Sequence, residues 1–409
     1  MVNTANTKAS LDGLFKDVYG DKLEDLRPDF GVLVKEIPFR NAKKTGRDYV
    51  EAVQLTHEHG FTYGSGLVTL SNVVPSDVDD AKVRGTALTL RTAFAYDAAA
   101  NMVSGGKEAF ISGTQYKFRT MIESMIYRLE IQMLYGSQNL GTVASADDTD
   151  GDEHIVISDA TWAPGIWSGA ENASIEIRSA DLSTLRLTAS VDKIDSTNKK
   201  ILFADGTDPV AAGVVATDVV IFAGSKDNEM VGLRTVASNS GSLYGVDGSK
   251  YSLWQGNVSA VGNAALTLKK IYDGIVPAVG KGLMEDVCVL VSPATFSGLA
   301  NDEAGLRRYN TSPKAAENGA EAIQYYGANG KIEIKVHPMV KEGEAIAYPK
   351  KRAERIGASD VTFKTPGRSE EMFLQLPDQT GYECRAYSEQ TLFLPCPAKC
   401  VLYQGITNA

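Results

Sequence analysis

Few residues of this chain are typed and spaced for chemistry. His57-x-His59 puts two imidazoles on one side of an extended strand, as a metal would want. Zinc takes three or four ligands, however, and His154 and His337 are far away in sequence. Polar strand residues are therefore the favoured reading. Cys396 and Cys400 flank Pro397, but a structural zinc would need a second pair. Cys288 and Cys384 would complete a set only if folding gathered them, and small buried hydrophobes are the plainer reading. In the acidic run Asp147-Asp148-Thr149-Asp150-Gly151-Asp152-Glu153, Asp148 and Asp150 suit a calcium loop. Ala146 and Ile157 occupy the positions where its first and last ligands should stand, so a solvated loop is favoured. Gly280-Lys281-Gly282 and Gly327-Ala328-Asn329-Gly330-Lys331 fall short of a phosphate-binding loop, and there is no Gly-x-Ser-x-Gly elbow. No catalytic residue, cofactor or metal follows from these patterns.

The elements that would position such residues are more informative. Ser10 can cap a short helix carrying Leu11, Leu14, Phe15, Val18 and Tyr19, a piece too short to stand alone. Residues 46–96 form a long extended excursion. Tyr49, Val53 and Leu55 lie on its outgoing limb, and Gly60, Gly64, Ser65 and Gly66 at its tip. Leu88, Leu90, Phe94 and Tyr96 alternate with polar or small residues on its return limb. A two-stranded ribbon is marginal in water, so this one is expected to lie on another subunit. The strongest helix signal follows, from a Thr114 cap to a Gly136 stop. Phe118, Met121, Ile122, Met125, Ile126, Leu129 and Met133 make one stripe along it.

After Leu140 the composition shifts to Ala, Ser, Thr, Asp and Gly. Short β-like runs at Ile175–Ile177, Leu185–Val191, Ile201–Phe203 and Val219–Phe222 suggest a small β-module, a barrel being one form. Trp162 and Trp167 just before it are expected core anchors. A helix follows on Leu268, Ile271, Ile275 and Val279, with Pro277 kinking it. Then come a buried strand Val287–Val291, a helix started by Ser292-Pro293, and a polar loop Asn301–Gly319. Asn329-Gly330 precedes a strand with Ile332, Ile334 and Val336 on one face. Further strands are expected around Phe373–Leu376, Tyr382–Tyr387 and Thr391–Leu394.

The chain has 409 residues, 43% of them hydrophobic and 22% charged, which fits an ordinary globular protein. Its net charge of −10 argues against phosphate binding by the whole surface, leaving Lys43–Arg47 as a local basic stretch. No apolar run reaches the ~20 residues of a membrane span, and Met1 to Ser10 is polar with no apolar stretch of leader type. Four cysteines are too few for a disulfide framework and suggest a reducing compartment.

The order of arm, ribbon, long helix and β-rich pieces resembles the major capsid proteins of tailed double-stranded DNA phages, which implies the α+β class and the Hong Kong 97-like fold. Several stretches carry the resemblance. Asp97–Asn101 leads into the helix ending Ile131-Gln132-Met133-Leu134-Tyr135-Gly136. Val287–Phe296 is similar to the strand-to-helix step of the axial domain. Ile334–Val340 with Glu342–Ala345 is similar to a late strand, loop, strand passage. Asn228–Leu233 and Tyr251–Trp254 add to it. The resemblance implies an N-terminal arm at 1–45, an extended loop at 46–98, and a spine helix opening the peripheral domain at 99–140. It further implies an inserted β-module at 141–228, an axial domain at 229–335, and a return to the peripheral domain at 336–409. It implies a subunit forming pentamers and hexamers in an icosahedral virion shell. That shell would be assembled in the host bacterial cytoplasm and enclose DNA without sequence-specific binding or a membrane. A separate scaffolding protein and a portal are the implied partners, with a decoration protein a further candidate. Arg47, Arg84 and Arg91 are candidate inter-subunit contacts, and Gly105 and Gly106 are candidate hinges. The competing readings are an encapsulin-like nanocompartment shell, a β-rich adhesin, and an enzyme with an unrecognised site.

Overall fold

A computed structural model describes residues 31–42, 48–95, 107–149, 152–300, 322–364, 373–376 and 380–408. In chain order it opens with a short helix α1 (Val32–Glu36), then β1 (Phe39–Asn41), β2 (Tyr49–Gln54), β3 (Val78–Val83) and β4 (Thr86–Ala95), then the long helix α2 (Lys107–Tyr135). Next come β5 (Gly141–Asp147), β6 (His154–Ile157), α3 (Pro164–Trp167), β7 (Ser174–Arg178), β8 (Leu185–Asp195), β9 (Lys200–Phe203) and β10 (Val219–Phe222). These are followed by α4 (Leu233–Ala237), β11 (Ser242–Leu243), β12 (Val246–Asp247), β13 (Asn257–Ala264), α5 (Leu268–Gly280), β14 (Val287–Val291) and α6 (Pro293–Ala300). The chain ends with β15 (Ala322–Gly327), β16 (Gly330–Val336), β17 (Glu344–Tyr348), β18 (Glu354–Thr362), β19 (Phe373–Gln375), β20 (Gly381–Phe393) and β21 (Val401–Ile406). The Ser10 helix and the Asn301–Gly319 loop lie outside the described residues.

The long helix runs 29 residues, starting at Lys107 rather than at Thr114. Thr114 is therefore interior, not a cap. No proline interrupts 107–114, and the single Gly113 costs only about 1 kcal/mol in a helix. Met121, Met125 and Leu129 are buried as the stripe requires, while Ile122 stays at the surface. From Leu129 to Tyr135 the helix is buried on every side. It stops at Gly136, where another strand of backbone crosses. Gly232 N–H donates to Gly136 O at 3.2 Å, and a Cβ on Gly136 would sit 2.1 Å from Met230 O. Gly136→Ala should therefore destabilise the protein by about 2–3 kcal/mol, measured by denaturant unfolding, because backbone has to move. An unchanged midpoint would refute this.

β20 organises one sheet. On one edge it pairs with β4 from Gly381↔Ala95 to Gln390↔Thr86, and on the other with β19 and then β18; β1 adds in parallel beyond β18. Two expectations are corrected here. The return limb of the excursion does not pair with the outgoing limb: β2 pairs with β3, and β4 belongs to this sheet. Alternation identifies a strand but not its partner. The C-terminal stretch around 382–394 is one continuous strand, not two. Its polar middle is buried and satisfied, with Gln390 Nε2 donating to Ser388 Oγ at 2.7 Å and Arg355 donating to Gln390 Oε1 at 2.9 Å.

The six-stranded sheet has the order β13-β21-β17-β14-β16-β15. Helix α5 packs on it, and Tyr403 O–H donates to Ile271 O at 2.7 Å. Ser292 Oγ accepts from Thr295 N–H at 3.2 Å, so the predicted serine cap at the start of α6 is in place. Ile332 and Ile334 face inward, with Val336 only partly covered. Because β17 and β21 join this sheet while β18 to β20 form the other, residues 336–409 are divided between the two. Strands β10-β5-β6-β9-β8-β7 close a barrel. It has six strands where the sequence suggests four: β5 (Gly-Thr-Val-Ala-Ser-Ala-Asp) is mostly small residues and β6 (His-Ile-Val-Ile) is only four residues long, so neither shows a clear alternation. Trp162 and Trp167 are fully buried with ring centroids 6.4 Å apart, and Trp167 lies 6.3 Å from Phe222 of the barrel wall. They anchor the module to the main core.

Candidate functional site

The β2–β3 ribbon has two parts with opposite surfaces. Its base is core: Tyr49, Val53, Leu55, Ala81 and Val83 are buried in the main cluster. The expectation that the whole ribbon lacks a core of its own is corrected to that extent. Beyond Leu55 the chain continues as a narrow loop closed by its own hydrogen bonds. Leu55 N–H donates to Asp77 O at 2.9 Å, His59 N–H to Val74 O at 3.1 Å, and Ser71 N–H to Thr62 Oγ1 at 2.8 Å. Tyr251 O–H donates to Asp77 Oδ2 at 3.1 Å and ties the neck to the body. The loop holds its apolar side chains in solvent: Phe61 is 65% exposed, Tyr63 90%, Leu70 80% and Val73 88%. Apolar side chains held in solvent on a well-bonded loop are the kind of patch that marks an interaction surface.

A second constellation fixes the entry to the fold. Glu130 of the long helix is fully buried, yet its carboxylate accepts from the first N–H groups of α1: Leu33 at 2.5 Å and Val34 at 3.0 Å. Fully buried His337 lies with Nε2 2.8 Å from Glu130 Oε1, while its Nδ1 accepts from Met339 N–H at 3.2 Å. That pattern assigns the ring proton to Nε2, which donates to Glu130. Glu36 then pairs with Lys335 and, at 3.1 Å, with Lys350; Arg40 pairs with Glu51 at 2.6 Å and Glu354 at 2.8 Å. The segment 31–41 is thus stitched along its length to the helix and the sheet.

Nearby, Lys341 is fully buried. Its Nζ donates to Asn139 O and Asn139 Oδ1, both at 2.9 Å, and lies 4.5 Å from the Tyr135 ring centroid. Burial pushes this amine from the ordinary 10.5 down to about 8, against the pull of Glu344. Between those values the unfolded chain binds more protons, so this group makes stability rise with pH across that window. The rise should be on the order of 3 kcal/mol and absent in Lys341→Met, measured as the difference between the two proteins in denaturant titrations from pH 8 to 10.5. Parallel curves would refute it.

The residues singled out for chemistry in the sequence are not gathered. His57 and His59 are exposed on the loop, and among the described residues no group of three His, Cys, Asp or Glu could hold a metal. All four cysteines are free thiols. Cys288, Cys384 and Cys400 are buried, and burial pushes Cys288 and Cys396 up to about 12. Asp150 and Gly151 lie outside the described residues, as do Arg47, Gly105 and Gly106. Arg84 is exposed in the turn between β3 and β4, whereas Arg91 pairs within the chain with Glu383. Among the described residues no helix is long and apolar enough to cross a membrane.

The sequence missed Glu130, His337 and Lys341. The one local signal was a charge set between apolar residues in Leu129-Glu130-Ile131; Lys341 precedes Glu342 and gave none.

This architecture is found in solved capsids. The chain is similar to the capsid protein of a native GTA particle at 8% identity, covering 99% of this chain and 100% of that one, with a TM-score of 0.51. It is similar to the capsid protein of Cyanophage A-1(L) at 11% identity, covering 98% and 99%, with a TM-score of 0.53. The fold, a mixed helix-and-strand one, is that of these capsid proteins. No family model and no curated protein matches the sequence.

Proposed function

We infer that this chain is a structural subunit that self-assembles as pentamers and hexamers into an icosahedral shell around a phage double-stranded DNA genome, on the Hong Kong 97-like plan. The observation that carries this reading is the fold likeness to two capsid proteins over 98–99% of the chain. The exposed apolar loop supports it, because such a loop suits a surface that a neighbouring subunit supplies. In this reading 1–45 is the arm, 46–98 the extended loop, 99–140 the spine and start of the peripheral domain, and 229–335 the axial domain. The barrel within 141–228 is the insertion, and 336–409 returns to the peripheral domain while lending β17 and β21 to the axial sheet. Arg47, Arg84 and Arg91 are the proposed inter-subunit cations. A separate scaffolding protein, a portal and a decoration protein are the proposed partners, with assembly in the host cytoplasm.

Negative-stain electron microscopy of the expressed protein, with and without a co-expressed scaffolding candidate, tests the reading. Closed shells, or rings of five or six, are expected. Particles of one or two subunits under both conditions would overturn it, and shells filled with a protein cargo would favour a nanocompartment. Gly105 and Gly106 are the proposed hinge between loop and spine. Substituting both by proline should abolish closed shells while leaving the unfolding midpoint unchanged; shells of normal size would remove the hinge.

A further inference from the structure

Between the long helix, β4 and the barrel lies a cavity of about 590 Å³, within the ~300–1,000 Å³ of small-ligand sites. Among the described residues the charged groups on its wall are Glu123, Arg128 and Glu229, with Tyr127 the only other titratable side chain. The Arg128 guanidinium carbon sits 3.2 Å from the centroid of the Phe222 ring, so one face of the cation is stacked and dry. Among the described residues Arg128 makes no hydrogen bond or ion pair, although two acids share the wall. Glu123 turns to Arg119 at 2.8 Å, and Glu229 accepts from Ser137 N–H at 3.3 Å. Independently, Gln132 is only 7% exposed, lines the same cavity, and has a side-chain oxygen with no partner. A largely desolvated guanidinium with unused donors is costly unless something anionic meets it. The rest of the wall is partly apolar, with Leu88, Leu90 and Met125.

We propose that this cavity is a binding site for an organic carboxylate, its acid group held by the Arg128 fork and its apolar body against Leu88, Leu90 and Met125. One guanidinium facing two wall acids suits a monoanion; a phosphate dianion would be repelled by both. The unpartnered Gln132 oxygen offers an acceptor to a polar group on the same ligand. Burial raises Glu229 to about 7, against the pull of Arg128 and the hydrogen bonds from Ser137 and Gln132. Below that value it is neutral, and above it a second anion stands near the bound acid. Binding therefore weakens as pH rises through 7. The inference does not rest on the shell reading.

The carboxylate could be a free acid or the side chain of a polypeptide, and two probes separate these sources. One is 4-phenylbutyrate, with 4-phenylbutyramide as its neutral control. The other is acetyl-Leu-Glu-Phe-amide, with the Gln peptide as control. Ligand-observed NMR titrations on the full chain should show at least one acid binding about tenfold tighter than its amide. The preference should be lost in Arg128→Gln. Affinity for the acid should fall about fivefold between pH 6 and pH 8 in the parent protein but not in Glu229→Gln, a variant that keeps the proposal testable if Arg128→Gln fails to fold. Binding of one probe only identifies the source. Equal binding of acid and amide, or no binding of either acid, would overturn the proposal.

Discussion

Replacing Phe61, Leu70 and Val73 together by serine should leave the chain folded and abolish closed shells. All three sit on the loop beyond Leu55, at 65%, 80% and 88% exposure. Within one chain they touch little, so folding stability should change by less than about 0.5 kcal/mol per site. Covered by a neighbour, each would contribute ~1.5–3 kcal/mol of apolar burial. Losing three at every contact weakens each by about 5 kcal/mol, a factor of several thousand in association. A closed shell multiplies that loss over all its contacts. The measurement is paired: unfolding midpoints to show that the fold is intact, and electron microscopy with sedimentation to count shells. Normal shells from the triple variant would show that the exposed loop is not an assembly contact, while leaving the fold assignment standing.

Glu130→Leu should cost about 3–5 kcal/mol, the largest single-residue effect expected here. The carboxylate is the acceptor for Leu33 N–H, Val34 N–H and the His337 Nε2 proton at once, all in a dry site. Leucine matches the bulk but leaves those donors buried without partners. Glu130→Gln keeps an acceptor oxygen and should lose less, about 1–2 kcal/mol. Hydrogen exchange locates the damage: the amides of Leu33 and Val34 should exchange far faster in Glu130→Leu than in the parent, while those of β14 stay protected. Uniform protection would mean that Glu130 does not hold the entry segment.

The sequence by itself determined elements wherever one face decides everything. The apolar stripe from Met121 to Met133, the alternation of Leu88 to Phe94, the all-apolar Val287–Val291 and the Ser292-Pro293 start are local patterns, and their burial needs no knowledge of the partner. The order of these elements already resembles that of the capsid proteins. What the tertiary structure decided is pairing. β4 lies against β20 nearly 300 residues away, β17 and β21 leave their neighbours for the other sheet, and the barrel closes through two strands with weak alternation. Backbone hydrogen bonding is identical for every strand, so only three-dimensional packing chooses between partners. The same holds for the buried polar sites. A lone Glu130, His337 or Lys341 reads as an ordinary polar residue in sequence. Its meaning comes from groups brought to it across some 100 to 200 positions, because a buried charge is tolerable only where folding supplies its counterpart.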